Sequence, residues 1–159
     1  TFHEIEPMVQ QAELPIRVVA QQTYDALQVC DMAVIASGTA TLEAACLGIP
    51  MVIAYKVSPL TYMIGKRLVK IPHIGLPNIV AGREIVPELL QEEATPERIA
   101  EEAVDIMMDT ERAEEIREDL REVVNKLGEP GVLERVAGLI LGIARDNAAS
   151  RMGNEAGTE

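Results

Sequence analysis

Tryptophan is absent from this chain, and one Phe and three Tyr are its only aromatic residues. Recognition of unpaired bases leans on aromatic stacking platforms, so nucleic acid is not expected as a partner. Cysteine is scarce too: Cys30 and Cys46 stand alone, each inside an apolar helical pattern. That excludes a disulfide framework, and both thiols are expected as reduced core residues of a cytosolic protein. The two histidines, His3 and His73, lie apart from any cluster of possible ligands, so no metal and no cofactor are expected. No apolar run approaches the roughly eighteen residues that a membrane-spanning helix requires. Acidic residues, plentiful elsewhere, are missing altogether between Ala44 and Arg83.

What is present suits one domain. The 159 residues are 48% hydrophobic, enough to bury a single proper core. The net charge of −12 is unevenly spread: residues 1–83 balance six acids against six bases, and residues 84–159 carry twenty acids against eight. The acid-free segment holds Lys56, Lys66, Arg67, Lys70 and Arg83. A local positive stretch in an acidic chain favours an anionic ligand over general nucleic-acid binding.

The most telling stretch is Ala36-Ser37-Gly38-Thr39-Ala40-Thr41-Leu42-Glu43-Ala44, directly behind the apolar run Met32-Ala33-Val34-Ile35. It predicts a buried strand, a turn of small residues, then a helix. The first N–H groups of a helix are unpaired and the macrodipole is positive there, so such a turn can hold a phosphate. Ser37, Gly38 and Thr39 leave the backbone approachable, and Glu43, one turn in, is placed to accept from ribose hydroxyls. Ser and Thr are also ordinary N-caps, so a plain capped helix start explains the same residues. The turn is neither G-x-G-x-x-G nor a Walker A loop.

Short strands are expected at Ile16–Val19, Met32–Ile35, Met51–Tyr55 and His73–Leu76, with helices at Thr23–Val29, behind the small-residue turn, and from Ser58 to about Val69. Gly48-Ile49-Pro50 closes the second of these helices, because Gly suits a left-handed C-terminal position and Pro blocks continuation. Strands alternating with helices imply an α/β fold with a Rossmann-like parallel sheet covered by helices. Beyond Arg83 the pattern is wholly helical: Glu84–Gln91, a helix capped by Thr95-Pro96 to about Met108, Glu111–Leu127 and Val132–Ala144. The acidic faces read as solvated surface with i,i+4 pairs. The expected organisation is a lobe over residues 1–145 and a frayed tail over 146–159. The chain opens Thr1-Phe2-His3 in a helical pattern without an initiator Met, which suggests part of a longer polypeptide.

Two further segments carry candidate chemistry. In the helix from Ser58, Leu60, Met63, Ile64 and Leu68 share one face, and Lys66 and Lys70 another with Arg67 beside them. This is either a surface helix with snorkelling cations or an electropositive rim to a phosphate site. In Leu76-Pro77-Asn78-Ile79-Val80-Ala81-Gly82-Arg83-Glu84, Asn78 falls at an expected strand end, where α/β proteins place ligands. Arg83 is either a phosphate fork or a partner of Glu84 and Glu88.

The small-residue turn, Gly48-Ile49-Pro50-Met51-Val52, Tyr55-Lys56-Val57-Ser58-Pro59, Lys66-Arg67-Leu68-Val69-Lys70 and the block from Leu76 to Gln91 together resemble the lipid-A-disaccharide synthases. The resemblance covers roughly residues 14–127. It implies the C-terminal, donor-binding lobe of a GT-B inverting glycosyltransferase that joins two acylated glucosamines. The implied donor is UDP-2,3-diacylglucosamine and the implied acceptor 2,3-diacylglucosamine 1-phosphate. On this resemblance Ser37, Gly38 and Thr39 approach the diphosphate and Glu43 the uridine ribose. Asn78 lies in the same pocket, with Lys66, Arg67 and Arg83 at its basic margin.

The resemblance also implies a bacterial enzyme, cytoplasmic and peripheral to the inner membrane, with a homodimer possible. The lobe that holds the acceptor and the catalytic base is not matched here, so no catalytic residue is assigned and the chain alone is expected to be inactive. Two other readings share the turn followed by Glu. One is a UDP-N-acetylglucosamine epimerase or peptidoglycan N-acetylglucosaminyltransferase; the other is a non-catalytic nucleotide-binding remnant.

Overall fold

A computed structural model describes residues 2–58, 72–129 and 131–155. Three short strands, β1 (Ala33–Ala36), β2 (Met51–Tyr55) and β3 (Glu88–Leu90), form a parallel sheet in the order β1-β2-β3. Ala33 to Ala36 pair with Met51 to Ala54, and Ile53 to Tyr55 pair with Glu88 to Leu90. The expected α/β class and Rossmann-like parallel sheet are therefore observed. Met51, Val52 and Ile53 are fully buried in succession, so both faces of β2 are covered.

Helices supply the cover. After α1 (Phe2–Gln11) and α2 (Thr23–Leu27) come β1 and then α3 (Thr39–Cys46), whose Ala44 and Ala45 sit in the core. The chain leaves α3 through Gly48 at φ 69°, and the Ile49 N–H closes the turn on the Ala44 carbonyl at 3.0 Å. The short α4 (Leu76–Ala81) precedes β3, and a 3-10 turn (Gln91–Glu93) follows it. Then α5 (Pro96–Met108) and α6 (Thr110–Leu127) bury Ile106, Ala113, Ile116, Leu120 and Val123. Thr95 caps α5 by accepting from the Arg98 N–H at 3.3 Å, as its sequence position predicts.

Three expected elements are different in the structure. Ile16–Val19 is not a strand: it has no regular structure, is largely exposed, and pairs with no strand among the described residues. His73–Leu76 is not a strand either. Pro77 sits in the first turn of α4 instead, where its missing N–H costs nothing. Glu84–Gln91 is not a helix: the Pro87 carbonyl accepts from the Ile53 N–H at 2.9 Å, and Glu88 to Leu90 pair with β2 as β3. The second helix is also shorter than expected and starts without a side-chain cap from Thr23. The expected helix between Ser58 and Val69 lies outside the described residues except for its first residue.

Cys30 and Cys46 are both free and exposed, not core residues. Cys30 lies past the end of α2, and Cys46 ends α3 on the side away from the buried Ala44 and Ala45.

The contacts group Thr1–Lys126 and Leu127–Glu159 as two units. The second is dominated by α7 (Val132–Glu155), which continues well beyond Ala144. Its Leu133, Leu139, Ile140, Leu141 and Ile143 are exposed.

Candidate functional site

In parallel α/β sheets ligands collect beyond the carboxyl ends of the strands. Here β1 delivers Ser37, Gly38 and Thr39 to that edge. Gly38 adopts φ 156° and ψ −167°, a conformation reserved almost entirely for glycine. A Cβ on Gly38 would meet nothing within 4 Å, so backbone shape, not crowding, demands glycine here. The same bareness leaves the backbone open to an approaching group.

The N-terminus of α3 is open. Gly38 is its N-cap residue and no side chain caps it, so the plain-cap reading of Ser37 and Thr39 fails. The Ser37 hydroxyl turns aside and donates to the Ile74 carbonyl at 3.2 Å. Thr41, fully buried, donates from Oγ1 back to the Gly38 carbonyl at 2.6 Å and so fixes the turn from below. Among the described residues, the N–H groups of Thr39 and Ala40 have no acceptor. The carboxylate of Glu43, half-buried on the same helix, makes no hydrogen bond or ion pair among the described residues. Two N–H groups and a carboxylate, each without a partner among the described residues, therefore share α3, with Glu43 at i+4 from Thr39 and on the same face.

The N-terminus of α4 presents the opposite case. Glu88, whose side chain is only 5% exposed, fills it: Oε2 accepts from the Ile74 N–H at 2.9 Å and Oε1 from the Gly75 N–H at 3.0 Å. Of these two helix starts, the protein's own carboxylate occupies one, and among the described residues the other is free.

Asn78 is fully buried in α4 and its polar capacity is consumed internally. Its Nδ2 donates to the Val86 carbonyl at 2.9 Å and to Glu88 Oε1 at 2.7 Å. Its Oδ1 accepts from the Ile85 and Val86 N–H groups at 2.8 and 3.1 Å. A side-chain amide has two donor hydrogens and two acceptor sites, so nothing remains for a ligand in this conformation. Asn78 lies inside a helix and not at a strand end.

Arg83 is similarly engaged. Its guanidinium forks onto the two carboxylate oxygens of Asp119 on α6, with Nη1 2.8 Å from Oδ2. That hydrogen bond, reinforced by the Asp119 charge, raises the guanidinium pKa further above its ordinary value. Neither Glu84 nor Glu88 is its partner, contrary to the pairing considered from sequence, and Glu88 belongs to the α4 network. Lys66 and Arg67 lie outside the described residues.

Sequence reasoning missed Glu88 and Gln91. Gln91 is buried, adopts φ 53°, and accepts from the Val57 N–H at 3.4 Å, tethering the loop that follows β2. Its positive φ at the carboxyl end of β3 has no local signal in the sequence. Glu88 was hidden by the helical reading of its segment, which made it one more solvated acid. Among the described residues no group of three or more His, Cys, Asp and Glu could hold a metal ion.

The family profile described as lipid-A-disaccharide synthetase matches residues 2–141, which is most of the chain. This chain belongs to the lipid-A-disaccharide synthase family. A lipid-A-disaccharide synthase of Geobacter sulfurreducens is 49% identical over 141 residues, covering 89% of this chain and 37% of the relative. That of Geobacter metallireducens is 50% identical over 141 residues with the same coverage. The Nitrosococcus oceani synthase is 44% identical over 130 residues, covering 80% of this chain and 34% of its own length. The chain thus spans little more than a third of the curated relatives it matches. No described helix is long and apolar enough to cross a membrane.

Proposed function

We propose that this chain is the donor-binding part of a lipid-A-disaccharide synthase, the enzyme that transfers 2,3-diacylglucosamine from UDP to 2,3-diacylglucosamine 1-phosphate. The observation that carries this reading is the open N-terminus of α3, with the Thr39 and Ala40 N–H groups unpartnered among the described residues beyond the end of β1. The diphosphate of the donor sits on Ser37, Gly38 and Thr39, where the backbone donors and the helix dipole stabilise negative charge. Glu43 accepts from the ribose hydroxyls, which explains a half-buried carboxylate left without a partner among the described residues. Lys66 and Arg67, in the acid-free segment, add positive charge at the rim. Asn78 positions the wall of this pocket from behind, and Arg83 acts through its fork on Asp119.

An inverting transfer needs a base to take the acceptor's hydroxyl proton as UDP leaves. No residue of this chain is assigned that role, so the chain alone binds donor and does not turn it over. In the complete enzyme, the amphiphilic substrates draw the protein to the cytoplasmic face of the inner membrane, and the enzyme works there as a peripheral protein.

Calorimetric titration of the chain with UDP tests the reading, with AMP as control and circular dichroism to confirm folding. UDP is expected to bind selectively, and Glu43→Ala to weaken it about tenfold, the equivalent of one charge-assisted hydrogen bond. A folded chain that ignores UDP, or that binds UDP and AMP alike, sinks it.

A further inference from the structure

We propose that Glu88 is the positioning residue of the diphosphate turn, acting through the His73–Gly75 segment; this rests on the donor-site reading above. Three donors converge on its carboxylate: the Ile74 N–H at 2.9 Å, the Gly75 N–H at 3.0 Å and Asn78 Nδ2 at 2.7 Å. His73 Nδ1 lies 3.9 Å from Oε1 on the same side. The other face of the Ile74 peptide region reaches the turn, since the Ile74 carbonyl accepts from the Ser37 hydroxyl at 3.2 Å. Glu88 therefore grips Ile74 by its N–H while Ser37 grips it by its carbonyl. Two part-buried hydrogen bonds connect β3 to the turn that follows β1.

The fit leaves little slack. A Cβ on Gly75 would run into the Ile53 side chain and come within 2.9 Å of Glu88 Oε1. Only an acceptor-only group satisfies three converging N–H donors, and a carboxylate is that group. An amide in its place would set its own N–H against one of them. Burying a carboxylate is costly, and apolar packing would serve stability at least as well. What the charge provides is a fixed position for the His73–Gly75 backbone, and with it the orientation of Ser37. The Ser37 hydroxyl is thereby held away from the space above Gly38, and the backbone N–H groups are presented in a preformed cradle. Preorganisation of this kind raises affinity by removing an ordering cost from the binding step.

The test compares the chain with its Glu88→Gln, Ser37→Ala and doubly substituted variants, by amide hydrogen exchange and by titration with UDP and with uridine. In Glu88→Gln, exchange is expected to accelerate about tenfold at Ile74, Gly75 and Thr41, whose N–H closes the turn on the Gly38 carbonyl at 3.1 Å, while Leu120 and Val123 on α6 keep their protection. UDP is expected to bind about tenfold more weakly with uridine unchanged, because the turn holds phosphates and Glu43 holds the ribose. Adding Ser37→Ala to Glu88→Gln is expected to change little more, since both act through Ile74.

Accelerated exchange confined to residues 74–75, an equal loss for UDP and uridine, or additive substitutions would each overturn the proposal. Unaltered UDP binding in Glu88→Gln, with Glu43→Ala still weakened, overturns the positioning role alone. A wild-type chain that does not bind UDP overturns the donor reading and this role with it. Should Glu88→Gln fail to fold, Ser37→Ala carries the same question without touching the buried carboxylate. Its UDP affinity is expected to fall about threefold, the worth of a modest hydrogen bond, and an unchanged affinity and exchange pattern overturns the proposal.

Discussion

The Asn78 side-chain amide donates to Glu88 Oε1 at 2.7 Å, joining α4 to the first residue of β3. The same amide bonds the Val86 carbonyl and accepts from the Ile85 and Val86 N–H groups, so one side chain organises the whole connection from α4 to the sheet. Replacing it leaves several buried polar groups without partners. Asn78→Leu is expected to destabilise the chain by about 2–4 kcal/mol, measured by urea unfolding.

Asn78→Asp is expected to be at least as harmful near neutral pH, and to recover on acidification. It sets a second carboxylate against Glu88 and the Val86 carbonyl, which raises the folded-state pKa of the introduced acid. The penalty is complete above that raised value. It fades as the pH falls towards about 4, the unfolded carboxylate value, because the native state then holds the extra proton. Unfolding curves of this variant at pH 7 and about pH 5 should differ less from wild type at the lower pH.

Gly38→Ala tests the turn. The added methyl has open space around it, so the expected cost is backbone strain alone, about 1–3 kcal/mol. The chain is expected to remain folded with its melting temperature lowered by several degrees, while UDP affinity drops by more than tenfold. A substituted turn that binds UDP normally would show that its backbone conformation is not what the ligand reads.

On α6, Glu114 accepts from Arg121 Nη2 at 2.7 Å and from Arg117 Nη1 at 3.3 Å. The Arg121 hydrogen bond is the main reason its carboxyl sits below the ordinary range, although desolvation opposes the shift. A lowered folded-state pKa gives stability that is present above the unfolded value and lost as the pH falls through the folded one. The pairs are solvent-exposed, so the effect is small. Arg121→Ala is expected to lower the urea midpoint slightly at pH 7, and the difference from wild type should vanish as the pH is taken below about 4.

Both thiols are expected to react with a disulfide reagent in the folded chain, without denaturant, because Cys30 and Cys46 are exposed. Cys30 should be the slower where its Sγ donates to the Ala26 carbonyl at 3.1 Å. Modification of only one thiol in the absence of denaturant would contradict this surface placement.

The amino-acid order alone determined the elements whose information is local. β2 matches Met51–Tyr55 as read, the strand–turn–helix around Ser37 to Glu43 stands with β1 one residue later, and Thr95-Pro96 opens α5 as predicted. Apolar continuity, small turn residues and capping pairs act within a few positions, so they are legible in one dimension. The family resemblance, carried by motif residues, was legible for the same reason.

Tertiary structure decided everything that depends on a distant partner. Glu84–Gln91 carries helix-compatible residues, yet Glu88–Leu90 is a strand because β2 offers it a ladder. Ile16–Val19 carries β-branched residues, yet it forms no strand, and no edge among the described residues pairs with it. Asn78 and Arg83 look equally available to an anion in sequence. Burial against Val86 and Glu88 commits the first, and Asp119, on a helix 36 residues later, commits the second. Hydrogen bonds are satisfied by proximity in space and saturate when made, so only the folded chain shows which polar groups remain free. By that measure the freedom lies at Thr39, Ala40 and Glu43 among the described residues of this edge.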